Sequence, residues 1–166
     1  MNNANANRFI LARAACLLVN AYRDCITEYR ALLPLDLSIS KDAPDTFAKL
    51  QAGAASGQLV VSPEHSETAI YGSSGNITFR VFHDYGHLLY GKEFVTEQEC
   101  ELARIQWVDL KVHLPAEWHD ICHVVYFADT CEQSKYEART GQFPVDQKAF
   151  VLEILNEYLT NTHMAA

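Results

Sequence analysis

Two pairs of histidines in this sequence have the spacing that lets two imidazoles bind one metal ion. His83 and His87 lie four residues apart in the run FHDYGH, and His119 and His123 repeat the interval in WHDICH. Residues four apart on an α-helix share one face, so each pair can present two nitrogens to one ion. Imidazole is the common nitrogen ligand of zinc, iron, nickel and manganese. The repeated pattern therefore predicts a divalent transition-metal site at which both pairs converge in the interior.

Three carboxylates are candidates to complete this site. Asp84 lies within the first histidine pair, and Asp129 lies near the apolar side of its helix, where it is either a ligand or an acid at the edge of the core. Glu101 shares a helical stripe with Val108 and Val112, and this stripe is expected to face inward. An inward carboxylate is costly unless it is paired. We therefore expect Asp84, Glu101 and Asp129 as ligands, with Asp84 or Glu101 accepting a proton from water.

Each of these signals also has a purely structural explanation. Histidines four residues apart occur on solvated helix faces as well, and Asp84 follows Arg80 by four residues, the spacing of an exposed ion pair. Gly86 would permit close helix packing. The polar wedge of the WHDICH helix, which includes His119 and His123, faces an internal site if that helix is central and faces water if it is peripheral.

The elements that must position these residues are helices. Apolar residues recur at intervals of three and four, which predicts a mainly α, single-domain bundle of five or six helices over residues 1–166. An irregular segment near 35–75, punctuated by glycines and Pro63, is expected to contain a short strand at 59–61. The predicted helices cover residues 7–32, 44–55, 77–90, 96–114 and 115–140, with a last helix after Asp146 and a frayed tail over 160–166.

Helix-end signals fix these boundaries. Asn76 is a candidate N-cap, and Gly91 suits the left-handed residue that closes a helix. Thr96 and Glu99 have the spacing of a capping box. Glu99 is therefore assigned to capping and to the helix dipole, not to the metal site.

Composition restricts the partners and the compartment. The formal charge is −8 and no run of Lys and Arg is present, which argues against sequence-independent nucleic-acid binding. No apolar stretch is long enough to span a bilayer. The cysteines are odd in number, widely spaced and without a Cys-x-x-Cys pair, which argues against a disulfide framework and a thiolate zinc site and favours the cytoplasm. They are Cys16, Cys25, Cys100, Cys122 and Cys131.

The run HDYGH resembles the signature of HD-domain phosphohydrolases, which are helical enzymes. In that family a His-Asp pair helps bind one or two metal ions that activate water on a phosphate ester. The resemblance implies that Asp129, in YFADTCEQ, is the downstream aspartate and that His119 or His123 supplies the extra ligands of two-metal members. It also implies an upstream histidine, for which His65 is available. The matching run covers about ten residues.

Two further resemblances concern the same segment. The run is similar to the His-Glu-x-Gly-His helix of small zinc peptidases, which implies Glu101 as the downstream ligand and Asp84 in the place of the general-base Glu. The segments FRVFHDYGHLLYGKEF and GQFPVDQKAFV resemble uncharacterised proteins of tailed bacteriophages. This second resemblance implies the cytoplasm of a host cell and no particular activity.

The leading hypothesis from the sequence is a metal-dependent hydrolase that acts on a phosphate ester or nucleotide. The rival hypothesis is a non-enzymatic, acidic phage-type protein that binds and inhibits a host protein. A third option, an oxygen-activating iron protein in a helical bundle, would need more carboxylates on facing helices than these patterns supply. Bound metal separates the first hypothesis from the second.

Overall fold

The computed structural model describes residues 3–164 and confirms the predicted mainly helical bundle. A 3₁₀ turn (Ala116–Trp118) precedes the helix His119–Phe127, and a π-helical turn (Ala128–Glu132) joins that helix to the next, Gln133–Thr140. Together these segments form the one continuous helix that the sequence predicts over 115–140. The helices are α1 (Asn3–Leu32), α2 (Phe47–Ala55), α3 (Gly72–Tyr90), α4 (Thr96–Lys111), α5 (His119–Phe127), α6 (Gln133–Thr140) and α7 (Gln147–Met164).

The irregular segment contains a small parallel sheet. Strands β1 (Asp36–Ile39) and β2 (Gln58–Val61) pair in register, with α2 as the connection between them. The predicted strand at 59–61 is confirmed. Strand β1 was missed, although Leu35, Leu37 and Ile39 alternate with polar residues in the pattern of a strand. The Arg80 guanidinium of α3 donates to the carbonyls of Ser62 and Glu64, at 3.1 and 2.8 Å, and so fixes α3 beside the end of β2.

An aromatic cluster in the core sets the orientation of α3. Phe82 is fully buried, and its ring stacks on Tyr22 and Tyr29 of α1 at centroid distances of 4.8 and 5.7 Å. The hydroxyls of Tyr29 and Tyr90 both donate to one carboxylate oxygen of Asp109 in α4, each at 2.6 Å. Because Phe82 faces α1, His83 lies about 100° further around the helix, at the edge of this contact.

Of the caps predicted for α3 and α4, two are wrong and one is confirmed. Helix α3 begins at Gly72, so Asn76 lies inside it, buried, and donates from Nδ2 to Ser66 Oγ at 3.0 Å. Gly91 closes α3 in the left-handed conformation, as expected, with φ 61°. Helix α4 begins without a side-chain cap, so the capping box of Thr96 and Glu99 does not form. The structure instead turns the Glu99 carboxylate to the histidines of α3.

The C-terminal helix is longer than the sequence suggests. Asp146 caps it as predicted, because its Oδ1 accepts from the Ala149 N–H at 2.9 Å. Helix α7 continues to Met164 and so includes residues 160–164 of the expected tail. The rest of the predicted tail, residues 165–166, lies outside the described residues.

A disulfide joins Cys100 at the start of α4 to Cys131 in the π turn. Cysteine spacing, which argues against a framework of several disulfides, did not predict this bond, and Cys16, Cys25 and Cys122 are free. The bond spans a sequence separation of 31 residues, and it forms because α4 packs beside the π turn and brings the two Cα atoms to 4.6 Å. Such a contact between distant segments leaves no spacing signal. Within residues 3–164, no helix is both long and apolar enough to cross a membrane.

Candidate metal centre

Helix α3 presents His83 and His87 on one face, and Glu99 of α4 completes the group. The two Nε2 atoms lie 3.1 Å apart. The Glu99 carboxylate places Oε2 at 3.0 Å from His83 Nε2 and Oε1 at 3.4 Å from His87 Nε2. Over the described part of the chain, these three residues form the group whose possible ligand atoms all lie within 4.8 Å of one another.

The turn after α3 fixes the tautomer of His87. Its Nδ1 lies 2.7 Å from the carbonyl oxygen of Lys92, which the left-handed Gly91 directs back towards the helix. A carbonyl oxygen can only accept, so Nδ1 carries the hydrogen and Nε2 keeps its lone pair. A backbone carbonyl that holds the second ring nitrogen in this way is the usual arrangement around a metal-binding histidine.

The charges of the three side chains favour a cation between them. Burial and the neighbouring His83 lower the pKa of His87, so its Nε2 lone pair faces the Glu99 oxygen as one acceptor facing another. Burial opposes ionisation of Glu99, but His83 and His87 outweigh it and hold the pKa of Glu99 well below its ordinary value. Burial likewise opposes the charged form of His83, but Glu99 raises the pKa of His83. One hydrogen on His83 Nε2 must then serve both the Glu99 oxygen at 3.0 Å and the His87 lone pair at 3.1 Å.

The donor set and its spacing fit a divalent transition metal. Two imidazole nitrogens and one carboxylate are the ligands of many catalytic zinc sites, in which a further position stays open. The Nδ1 atom of His83 is buried and has no hydrogen-bond partner among the described residues. The site therefore supplies three ligands, with the tautomer fixed for one histidine and open for the other.

These three residues line a cleft of about 980 Å³ between α3, α4, the π turn and the loops before α3 and α7. Asp84 and Asp129 line the same cleft. Burial raises the pKa of each of these aspartates to about 7. Asp129 accepts a hydrogen bond from Gln133 Nε2 at 2.8 Å, and its place in the π turn directs its carboxylate into the cleft. Both predicted aspartates thus lie at the site, outside the group of three ligands.

Glu101 does not belong to this site, and its expected inward placement is wrong. Its side chain is exposed and pairs with Lys92 Nζ at 2.6 Å. The stripe on which it was placed faces solvent instead, since Val108 and Val112 are 56% and 71% exposed.

The second histidine pair does not converge on the first, so the central geometric prediction is wrong. His119 is half-buried, with Nε2 at 3.1 Å from the Leu114 carbonyl, and His123 is exposed. Both rings pack edge-on against Trp107, with centroids 6.4 and 4.9 Å away. Trp107 lies eight residues beyond Glu99 on α4, about 12 Å along the helix axis. Neither histidine lines the cleft.

Glu99 is the ligand that sequence analysis missed, although a signal for it was present. Glu99, Ala103, Gln106 and Leu110 follow one another at intervals of four, three and four, which is the period of one helix face. The last three are buried. Because two members of this stripe are polar, the more apolar stripe through Val108 was mistaken for the inward face.

Comparison with family models, with curated proteins and with solved structures yields no match to this chain.

Proposed function

We propose that this chain is a metal-dependent hydrolase in which His83, His87 and Glu99 bind one divalent transition-metal ion. The observation that carries the proposal is the spacing of their ligand atoms, at 3.0, 3.1 and 3.4 Å. Ligands about 2.0–2.1 Å from one ion, at angles between 90° and tetrahedral, lie about 2.9–3.4 Å from each other. The fixed tautomer of His87, which leaves its Nε2 lone pair facing the other two side chains, supports the same conclusion.

A hydrolytic reaction suits the groups around this centre. A zinc ion in such a ligand set lowers the pKa of its water ligand to about 7 and polarises a substrate carbonyl or phosphoryl oxygen. Asp84 and Asp129, with pKa values raised to about 7 by burial, line the same cleft and suit the acceptance and return of a proton near neutral pH. Asp84 directly follows a proposed ligand, so we assign it the role of general base.

The HD-domain resemblance implies a His-Asp metal pair and a phosphate ester as the substrate. The group found here contains Glu99 and a second histidine of the same helix in place of an aspartate ligand. We therefore retain the hydrolase proposal and treat phosphate-ester cleavage as one outcome of its test. Two histidines and a carboxylate also bind iron(II) in oxygen-activating enzymes, so iron belongs among the metals tested.

Metal titration tests the proposal directly. Protein purified without a His-tag and stripped with a chelator is titrated with zinc, manganese, nickel and iron(II), and binding is followed by calorimetry. We expect one ion per chain and loss of binding in His87→Ala and Glu99→Gln. The matched control is His119→Ala/His123→Ala, which removes two imidazoles outside the site and should leave binding intact.

Two results would contradict the proposal. Failure of the stripped protein to bind any of the four metals would favour the rival hypothesis of a non-enzymatic protein that binds a host partner. Equal loss of binding in the control variant would place the metal elsewhere. A metal-loaded protein that cleaves neither p-nitrophenyl phosphate, nucleotides nor peptides would retain the metal site and refute the hydrolase assignment.

A further inference from the structure

The wall of the cleft around the proposed metal centre is strongly acidic. Two of its carboxylates, Glu67 and Glu137, form no ion pair with any described residue. Glu67 is exposed and Glu137 is half-buried, so both present negative charge to the opening. The six acidic residues that line the cleft are Asp45, Glu67, Asp84, Glu99, Asp129 and Glu137.

Lys and Arg contribute a single side chain to the same wall. Arg80 is the one Lys or Arg residue among the described residues that line the cleft. Two of its guanidinium nitrogens already donate to the carbonyls of Ser62 and Glu64. Protein sites for phosphate groups generally supply charge-assisted donors from Arg or Lys. A phosphate ester would therefore meet repulsion from most of this wall, whereas a cationic ligand would be attracted.

The cleft is also apolar in part, and it is large. Phe143 and Val145, in the loop before α7, are 52% and 87% exposed, and Val95 is 48% exposed across the opening. The volume of about 980 Å³ lies at the upper end of the range for small-molecule sites. A small polyamine would leave these apolar residues uncovered. An extended chain with both apolar and cationic side chains would cover them and neutralise the carboxylates.

We propose that the substrate bound in this cleft is a peptide segment rich in Lys or Arg with neighbouring apolar residues. The inference depends on the proposed hydrolase function for the step of cleavage, which adds water across the peptide bond and yields a carboxylate and an amine. Recognition depends on the charge and shape of the cleft, so binding can be measured separately from cleavage.

The test compares three nine-residue peptides that differ only at three positions, occupied by Lys, Gln or Glu, on an otherwise apolar background. Their binding to Glu99→Gln protein, which should not retain the metal, is measured by fluorescence anisotropy at pH 8 and low salt. We expect the Lys peptide to bind at least about tenfold more tightly than the Glu peptide, with a difference that shrinks as salt rises. Zinc-loaded wild-type protein should cleave the Lys peptide with the highest kcat/KM.

Paired variants locate the effect. Glu67→Gln/Glu137→Gln should weaken binding of the Lys peptide about three- to tenfold. Glu153→Gln/Glu157→Gln removes the same net charge from exposed positions of α7 that do not line the cleft, and it should leave binding within about twofold. Equal effects of the two double variants would show that only net charge matters, and would overturn the inference.

Competition separates the other possible ligands. Equal or tighter binding of the Glu peptide, or displacement of the Lys peptide by p-nitrophenyl phosphate or inorganic phosphate, would overturn the inference. Spermine binding as tightly as the peptide would assign the cleft to small cations and would overturn it too. These outcomes leave the metal titration unchanged, so a failure here is distinct from a failure of the proposed function.

Discussion

Replacement of Glu99 by Gln distinguishes a metal site from a purely hydrogen-bonded cluster. A metal ion requires a carboxylate at this position, whereas the metal-free cluster can also accommodate an amide. In the metal-free protein the Glu99 Oε1 atom faces the His87 Nε2 lone pair at 3.4 Å, and an amide N–H at that position can donate to it. We therefore expect metal-free Glu99→Gln to be about as stable as the metal-free wild type. The change also removes the His83–Glu99 ion pair, and this loss offsets the gain of the new hydrogen bond.

With zinc present, the expected order is reversed. Zinc at 100 times its dissociation constant stabilises a binding-competent protein by about 2.7 kcal/mol. For a chain of 166 residues this corresponds to a rise in Tm of about 5–10 °C. Loss of a residue that hydrogen-bonds to a metal ligand lowers metal affinity about 10–100-fold. Loss of the ligand Glu99 itself should therefore lower zinc affinity at least about 100-fold and remove most of the zinc-dependent rise in Tm.

The assay is thermal unfolding followed by circular dichroism, with and without zinc, on wild-type protein and two variants. Glu101→Gln is the matched control, since it makes the same chemical change two residues away on an exposed side chain paired with Lys92. We expect the control to keep the full rise in Tm. The reasoning is refuted if Glu99→Gln retains the zinc-dependent rise, or if Glu101→Gln loses it.

Three further expectations concern pH, the disulfide and helix packing. Burial raises the pKa of Asp129 to about 7, so ionisation of this carboxyl opposes folding. The metal-free protein should therefore lose stability as the pH rises from about 4 to about 7, by up to about 1.4 kcal/mol per pH unit from this group. Asp129→Asn should flatten this dependence of stability on pH. Cys131→Ser should lower the free energy of unfolding by about 3–4 kcal/mol, which is the loop-closure value for a separation of 31 residues. The same variant should bind zinc more weakly, because the disulfide anchors the start of α4 beside Glu99. A Cβ at Gly86 would overlap the buried Gln106 amide, so Gly86→Ala should cost about 1–3 kcal/mol in denaturant unfolding.

Each of these expectations has a result that would contradict it. An unchanged pH profile in Asp129→Asn would show that its carboxylate is not the buried acid responsible. Equal unfolding free energies for oxidised and reduced wild-type protein would contradict the disulfide argument, and reduction should have no further effect on Cys131→Ser. For the glycine, the penalty of Gly86→Ala should shrink in a Gln106→Ala background, and additive penalties would argue against the overlap.

Much of this fold follows from local sequence patterns. The long α1, the helix before Gly91, the continuous helix from Pro115 to Thr140 and the Asp146 cap all lie where periodicity and end signals predict them. These features depend on residues within a few positions of each other. The first histidine pair belongs to the same category, because a four-residue interval on one helix fixes the neighbourhood of its side chains.

The rest of the site depends on how helices are rotated and packed, which local patterns do not determine. The inward face of α4 includes Gln106, which bonds to the Phe82 carbonyl at 2.9 Å, so this face looks polar in sequence and the wrong stripe was chosen. That error replaced Glu99 with Glu101. The second histidine pair has the same local pattern as the first but packs on Trp107, which shows that spacing alone does not distinguish a ligand pair from a surface pair.

Anomalous diffraction from crystals soaked in zinc would test the central claim most directly, because it locates the ion without reference to activity. The account predicts one strong peak about 2.0–2.2 Å from His83 Nε2, His87 Nε2 and a Glu99 carboxylate oxygen. A peak beside His119 and His123, or none in the cleft at a zinc concentration that saturates binding in solution, would contradict it.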